Sequence, residues 1–280
     1  MKCIFSLSFL SIALFFSSCT ESTTTEPKDE STNETQEQSL EPARITIEET
    51  SKPVLFDFTS TGCPGCGSWG GPTFESIIDT EKNNIVPMAV HIKYGDNMIT
   101  EVSEAIAENR TGQYFTPQLW VNNKNGVLLS GGRINGTGSL NQLNNEIDAV
   151  QSASPEVFAV VSLISNETTV AIRYKTKTVS DVQGEYFVGV YLMENEINDR
   201  QSGNPNGSKN HNHVIRASNK GGFGTPISAD DLTANSESEG IIEFEIEDDW
   251  KMKNLYASII VWKILDGNYC VVNANNNLIF

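Results

Sequence analysis

The stretch Thr59-Ser60-Thr61-Gly62-Cys63-Pro64-Gly65-Cys66 constrains this chain more than any other. It follows an apolar run, Val54-Leu55-Phe56-Asp57-Phe58, that reads as a buried strand. Two cysteines separated by two residues either close a small disulfide or stay as a reactive dithiol. A strand that feeds such a pair is the layout of a redox motif.

The chain has 280 residues, room for two domains of ordinary size. Its 36 acidic and 19 basic residues give a formal net charge of −17. That balance argues against nucleic acid, whose phosphates need Lys and Arg clusters. It also argues against an anionic lipid surface held by charge alone, and its plain reading is solubility. At the N-terminus Lys2 precedes an apolar segment, Ile4 to Phe16, too short and too interrupted by serine to span a membrane. Phe16-Ser17-Ser18-Cys19 then resembles a bacterial lipobox, with Phe16 where Leu is usual. Residues 1–18 are therefore expected to be a lipoprotein signal peptide and Cys19 the lipidated residue, whose acyl chains would anchor the protein to the outer membrane. An ordinary signal peptide cut nearby, leaving Cys19 free, is the alternative. Residues 19–42 are rich in Thr, Glu, Ser and Gln and are expected to form a disordered acidic tether. Of the five cysteines, Cys3 leaves with the signal and Cys270 is left over in a strand-like run. Cys270 reads as a buried structural thiol, with a resolving cysteine as the sharper idea.

Beyond the tether, Arg44 to Ile47 alternates as a short strand would. Pro72-Thr73-Phe74-Glu75-Ser76-Ile77-Ile78 opens a helix, with Pro in the first turn where its missing N–H does no harm. Ile85 to Ile92 reads as a buried strand, Ile99 to Arg110 as a helix and Pro117 to Val121 as a strand. Asn122 to Gly126 reads as a hairpin turn with Asn-Gly as its strongest signal. Val127 to Ser130 is the return strand, and Gly138 to Gln151 a closing amphipathic helix. From Ser154-Pro155 onward the period changes to two. Seven strand candidates follow, separated by turn residues such as Asn204-Pro205-Asn206-Gly207, the signature of a β-sandwich.

The order β, β, α, β, α, β, β, α over residues 43–152 resembles a thioredoxin-like domain. The fold expected is thus an α/β thioredoxin-like domain (43–152) followed by an all-β sandwich domain (153–280). Asp57, six residues before Cys63, matches the buried Asp of that family, which implies a role in moving the proton of the second cysteine. Thr116-Pro117 matches the family's cis-proline facing the disulfide, and Gly131-Gly132 its glycine beside the substrate groove. The whole arrangement resembles a family of Bacteroidetes envelope lipoproteins named for a twenty-eight-kilodalton outer-membrane protein. Phe58-Thr59 before the cysteines and the run His211-Asn212-His213-Val214-Ile215-Arg216 carry that resemblance.

The chemistry implied is thiol–disulfide exchange with protein thiols and disulfides of the envelope. Cys63, at a helix N-terminus, would be the attacking thiolate. Cys66 would resolve the mixed disulfide, Asp57 would accept its proton with a pKa raised by burial, and Thr116 and Pro117 would shape the groove. This sequence departs from the reductase pattern in three places. Gly62 stands where Trp is usual, Pro64-Gly65 reverses the usual Gly-Pro, and Gly67-Ser68-Trp69-Gly70-Gly71 is a poor helix former. The last of these suggests a helix that is broken or starts late, near Pro72, with Trp69 folding back over the site. The competing reading is a non-catalytic surface binding or adhesion lipoprotein whose cysteines form a structural disulfide.

No cofactor fingerprint and no Ser-His-Asp arrangement is present. His211 and His213 alternate on an expected strand, so both would face one way, with Glu194, Glu196 and Asp199 before them. Zinc is the sharper reading of that pattern, and an edge strand with its turn the plainer one, so no metal ligand is assigned. His91 reads as structural.

Overall fold

The computed structural model describes residues 40–92, 95–112, 114–125, 129–130, 133–134 and 137–278, which lie in one compact unit, Ser39–Phe280. The signal segment, Cys19, most of the tether and Gly131-Gly132 lie outside the described residues. In chain order the elements are β1 (Val54–Thr59), α1 (Gly71–Glu81), β2 (Val86–His91), α2 (Glu101–Glu108), β3 (Gln118–Val121), β4 (Lys124–Asn125), β5 (Leu129–Ser130), β6 (Arg133–Ile134) and α3 (Thr137–Gln151). There follow β7 (Val157–Ser165), β8 (Thr169–Thr178), β9 (Tyr186–Glu194), β10 (Ile197–Arg200), β11 (Ser208–His211) and β12 (Val214–Ser218). The last are β13 (Thr225–Pro226), β14 (Glu237–Glu245), β15 (Leu255–Leu265) and β16 (Asn268–Asn276).

The expected α/β thioredoxin-like fold is corrected by this arrangement. The described residues are 40% strand against 21% helix, with three short α-helices among them. The sheet begun by β1, β2 and β3 does not end with the N-terminal half. It runs in the order β16-β15-β9-β12-β2-β1-β3-β4, mixing strands from both halves. β1 and β2 are parallel, β12 joins the free edge of β2 in parallel at Val214 and Ala89, and the other neighbours are antiparallel. The reason is the burial of β2, whose six residues are all buried. An open edge there would leave unpaired N–H and C=O groups in a dry place. Ala89 N–H donates to His213 O at 2.7 Å instead.

Period two then explains how one sheet serves two cores. Successive residues of a strand point to opposite faces. On β9, Val188, Val190 and Leu192 face β7 and β8, whereas Tyr191 and Met193 face a cluster with Phe56, Phe58, Met88, Trp120 and Trp262. β15 divides likewise, with Ala257 and Ile259 on the first side and Tyr256 and Trp262 on the second. A three-stranded antiparallel sheet, β14-β8-β7, covers the first side, which is the sandwich read from the C-terminal half. The far face of β1–β3 packs Leu55, Leu119 and Val121 on Phe74, Ile77 and Ile78 of α1 and on Leu143 and Ile147 of α3.

Two local expectations are also corrected. Arg44 to Ile47 is not a strand. The chain there lies along β7 and β8, held by Arg173 Nε donating to Pro42 O at 3.1 Å, Ser162 Oγ donating to Ala43 O at 3.0 Å, and a Lys177–Glu49 ion pair. The hairpin turn is Asn122-Asn123, because Val121 pairs with Lys124. Asn122 takes φ +52, and its side chain accepts from Val54 N–H at 2.8 Å, a tie that Gly in the Asn-Gly turn could not make.

Candidate functional site

Cys63 and Cys66 are joined in a disulfide at the C-terminal end of β1. Cys63 is half-buried and Cys66 fully buried. Cys66 N–H donates to Cys63 O at 3.1 Å and lies 3.2 Å from Cys63 Sγ, so the bridge closes over one turn of backbone. The glycine-rich stretch forms a π-helical turn, Cys66–Gly70, which runs directly into α1 with Pro72 in the first turn. The helix begins at Pro64, with Gly67 N–H donating to Cys63 O at 3.4 Å, so Cys63 stands at its N-terminus; the turn that follows is wide, and the expected break or late start near Pro72 is corrected. Trp69 is half-buried, with its indole nitrogen against Gly65.

Of the expected partners, Pro117 lies against the cysteine loop. The Thr116–Pro117 bond is cis, and the buried Pro117 ring packs against Gly65 and Gly70, where a Cβ on Gly70 would lie 2.7 Å from Pro117 Cγ. Asp57 is 2% exposed, and burial pushes its carboxyl up to about 7. Lys209 opposes that rise, Glu75 adds to it, and a Thr59 side-chain hydrogen bond opposes it. Its Oδ1 has no hydrogen-bond partner. Glu75 is itself raised, first by burial, with the Asn212 side chain and Lys209 working against the shift.

Sequence reasoning missed the cover on this site. The hairpin β10–β11 folds its connecting loop onto the disulfide loop. Gln201 is buried, and its Nε2 lies within 3.4 Å of the carbonyl oxygens of Ser60, Thr61, Cys63 and Ser202. Ser202 N–H donates to Thr61 O at 2.8 Å. Gly203, at φ +80, lies so close to Pro64 O that a side chain has no room. Gly67 meets the backbone of Ser202 and Asn204 in the same way. On the opposite side, Thr61 N–H donates to Asp96 Oδ2 at 2.8 Å, and the same oxygen lies 2.8 Å from His91 Nδ1. Burial disfavours the Asp96 carboxylate, but His91 and the N–H groups of Thr61 and Met98 hold its carboxyl below the usual value. The one local signal for this cover was the turn Asn204-Pro205-Asn206-Gly207, and a turn does not say what it lands on.

His211 and His213 do not share a face. His213 takes φ +59, so the backbone turns between β11 and β12. The His211 ring meets His91 edge-on at 5.3 Å, whereas His213 Nδ1 lies 2.9 Å from Tyr256 Oη and its ring packs on Phe74. Burial pulls them down to about 4 and about 3. Glu194 is fully buried and pairs with Arg216 at 2.7 Å. Among the described residues no three His, Cys, Asp or Glu side chains gather as metal ligands do. Cys270 is unbonded and half-buried on β16, with its thiol raised by burial and by Asp266. No helix among the described residues is long and apolar enough to cross a membrane.

No family model and no curated protein matches the chain. Solved structures do. HBP35 of Porphyromonas gingivalis is 17% identical over 83% of this chain and 76% of its own, with a TM-score of 0.62, a likeness of fold. A DUF3823 family protein from Bacteroides ovatus is 21% identical over 44% of this chain and 55% of its own, with a TM-score of 0.27, too low to carry an argument.

Proposed function

We propose that this chain is a Bacteroidetes cell-envelope lipoprotein that works by binding, with Cys63–Cys66 as a structural disulfide. The observation that carries this reading is the hairpin cover. Gln201 and Ser202 tie down the carbonyls around the cysteines, and Gly203 sits on Pro64. Those contacts hold the backbone around the bridge in one shape, with Cys63 half-buried and Pro64 exposed. The lipobox ending at Cys19 and the fold likeness to a Porphyromonas protein support the compartment.

A second reading, envelope thiol–disulfide exchange, is favoured by Asp57: a buried carboxyl near 7, six residues before Cys63, is suited to holding a proton at neutral pH. In that reading Cys63 thiolate attacks a substrate disulfide, and Cys66 then displaces the substrate thiolate and restores the bridge. One measurement separates the two. A structural bridge has a reduction potential below about −300 mV, whereas exchangeable ones lie higher. The binding reading expects the low value, no insulin reduction and no adducts trapped by Cys66→Ser. A potential near that of a reductase, with turnover lost in Cys63→Ser, would overturn it. Acylation lost in Cys19→Ala checks the anchor.

A further inference from the structure

Arg110 follows α2 and is 5% exposed. Its guanidinium lies 4.0 Å over the Phe58 ring and 5.0 Å over the Tyr114 ring. Nε donates to Ala107 O at 3.0 Å, and Nη1 to Phe115 O at 3.4 Å and to Gln118 Oε1 at 2.5 Å. All three acceptors are neutral. No carboxylate among the described residues pairs with this cation, and Nη2 donates to no described group. Burial lowers its pKa only to about 10, so it stays charged at neutral pH. A desolvated cation whose partners are all neutral retains electrostatic capacity for an anion that fits the guanidinium fork.

The same side chain forms part of the wall of an open cavity of about 480 Å³, within the range of small-molecule sites. Ile92, Ile99 and Ala107 give it an apolar lining. Glu104 and Glu108, one turn apart on α2 and both exposed, also line it and would repel a second negative group. We propose that this cavity binds a small molecule with one carboxylate on an apolar body, the carboxylate taken by Arg110 and the body by Ile92, Ile99 and Ala107. The site is separate from the disulfide and stands whichever way the bridge behaves.

Calorimetric titration of the full-length protein with sodium octanoate tests the site, with acetyl-Leu-Leu as a second arm. Octanoate binding marks a fatty carboxylate, and acetyl-Leu-Leu binding a peptide C-terminus. Either supports the site, provided that 1-octanol binds at least about tenfold more weakly and Arg110→Met loses at least about tenfold. Ile99→Trp, which fills the cavity and leaves Arg110 in place, should weaken binding by a similar factor and covers the case in which Arg110→Met does not fold. The proposal is overturned if neither carboxylate binds, if octanol binds as well as octanoate, or if Ile99→Trp binds as the parent does.

Discussion

Replacing Gln201 with alanine isolates the cover from the disulfide it covers. One amide NH₂ has two hydrogens, so it makes about two good bonds among its four neighbouring carbonyls. None of the three disulfide-loop carbonyls is orphaned by the change. Ser60 O still accepts from Cys63 N–H, Thr61 O from Ser202 N–H, and Cys63 O from Cys66 N–H. The full penalty for an unsatisfied buried group is therefore avoided. The loss is about two net hydrogen bonds, roughly 2 kcal/mol. If the hairpin must lift before a reductant reaches the bridge, 2 kcal/mol raises the open population about thirtyfold. The rate of reduction by dithiothreitol, followed by gel shift of alkylated thiols, should rise by that factor. The melting temperature of a unit this size should fall by only about 4–8 °C. A rate within about threefold of the parent, in a variant with this small loss of Tm, would mean that the bridge was already open to solvent and that the cover does not shield it.

Asp57 gives a pH test. Its folded-state value of about 7 lies above the ordinary carboxylate value, so between about pH 4 and 7 the folded chain holds a proton the unfolded chain has released. Stability should thus be greatest below that window and fall as pH rises through it, by on the order of 4 kcal/mol, and Asp57→Asn should flatten the dependence in urea unfolding at pH 5 to 8; an unchanged slope refutes the assignment. Arg216→Met should cost roughly 3–5 kcal/mol in the same assay, because it strands the fully buried Glu194 charge. A loss under about 1 kcal/mol would mean that Glu194 finds another partner at little cost.

What was legible in the sequence was local. β1 announced itself by apolar content, α1 by Phe74, Ile77 and Ile78 after Pro72, and α3 by Leu143 and Ile147 on one face. Asp57 and Pro117 were picked out by the resemblance to a thioredoxin-like domain, Asp57 six residues before Cys63 and Pro117 between a helix and a strand. The pairings that were missed are distant in sequence. β12 meets β2 through Val214 and Ala89, and nothing in either segment names the other. β9 and β15 serve two cores, so their apolar residues run continuously and period two no longer says which face is outside. His211 and His213 were misjudged because alternation holds only for extended backbone, and His213 has left it at φ +59.

The same distance effect changes what the glycines mean. As a local pattern, Gly67 to Gly71 reads as a weak helix start that would stabilise a thiolate poorly. In the folded chain Gly67 is where the backbone of Ser202 and Asn204 presses against the turn, and Gly70 is where Pro117 packs. A helix former with a Cβ at either position would push out the hairpin or the proline. The composition of the turn therefore records what lies against it. A chain that needed Cys63 free for substrate would gain from a standard helix start at Cys66 and an open face above Pro64. This one keeps the wide turn and places Gly203 on that face, with Gln201 and Ser202 bonded to the carbonyls beneath. The geometry that widens the turn is the geometry that lets the hairpin pack on it, and it is this coupling that weighs toward a loop held in one shape around its bridge.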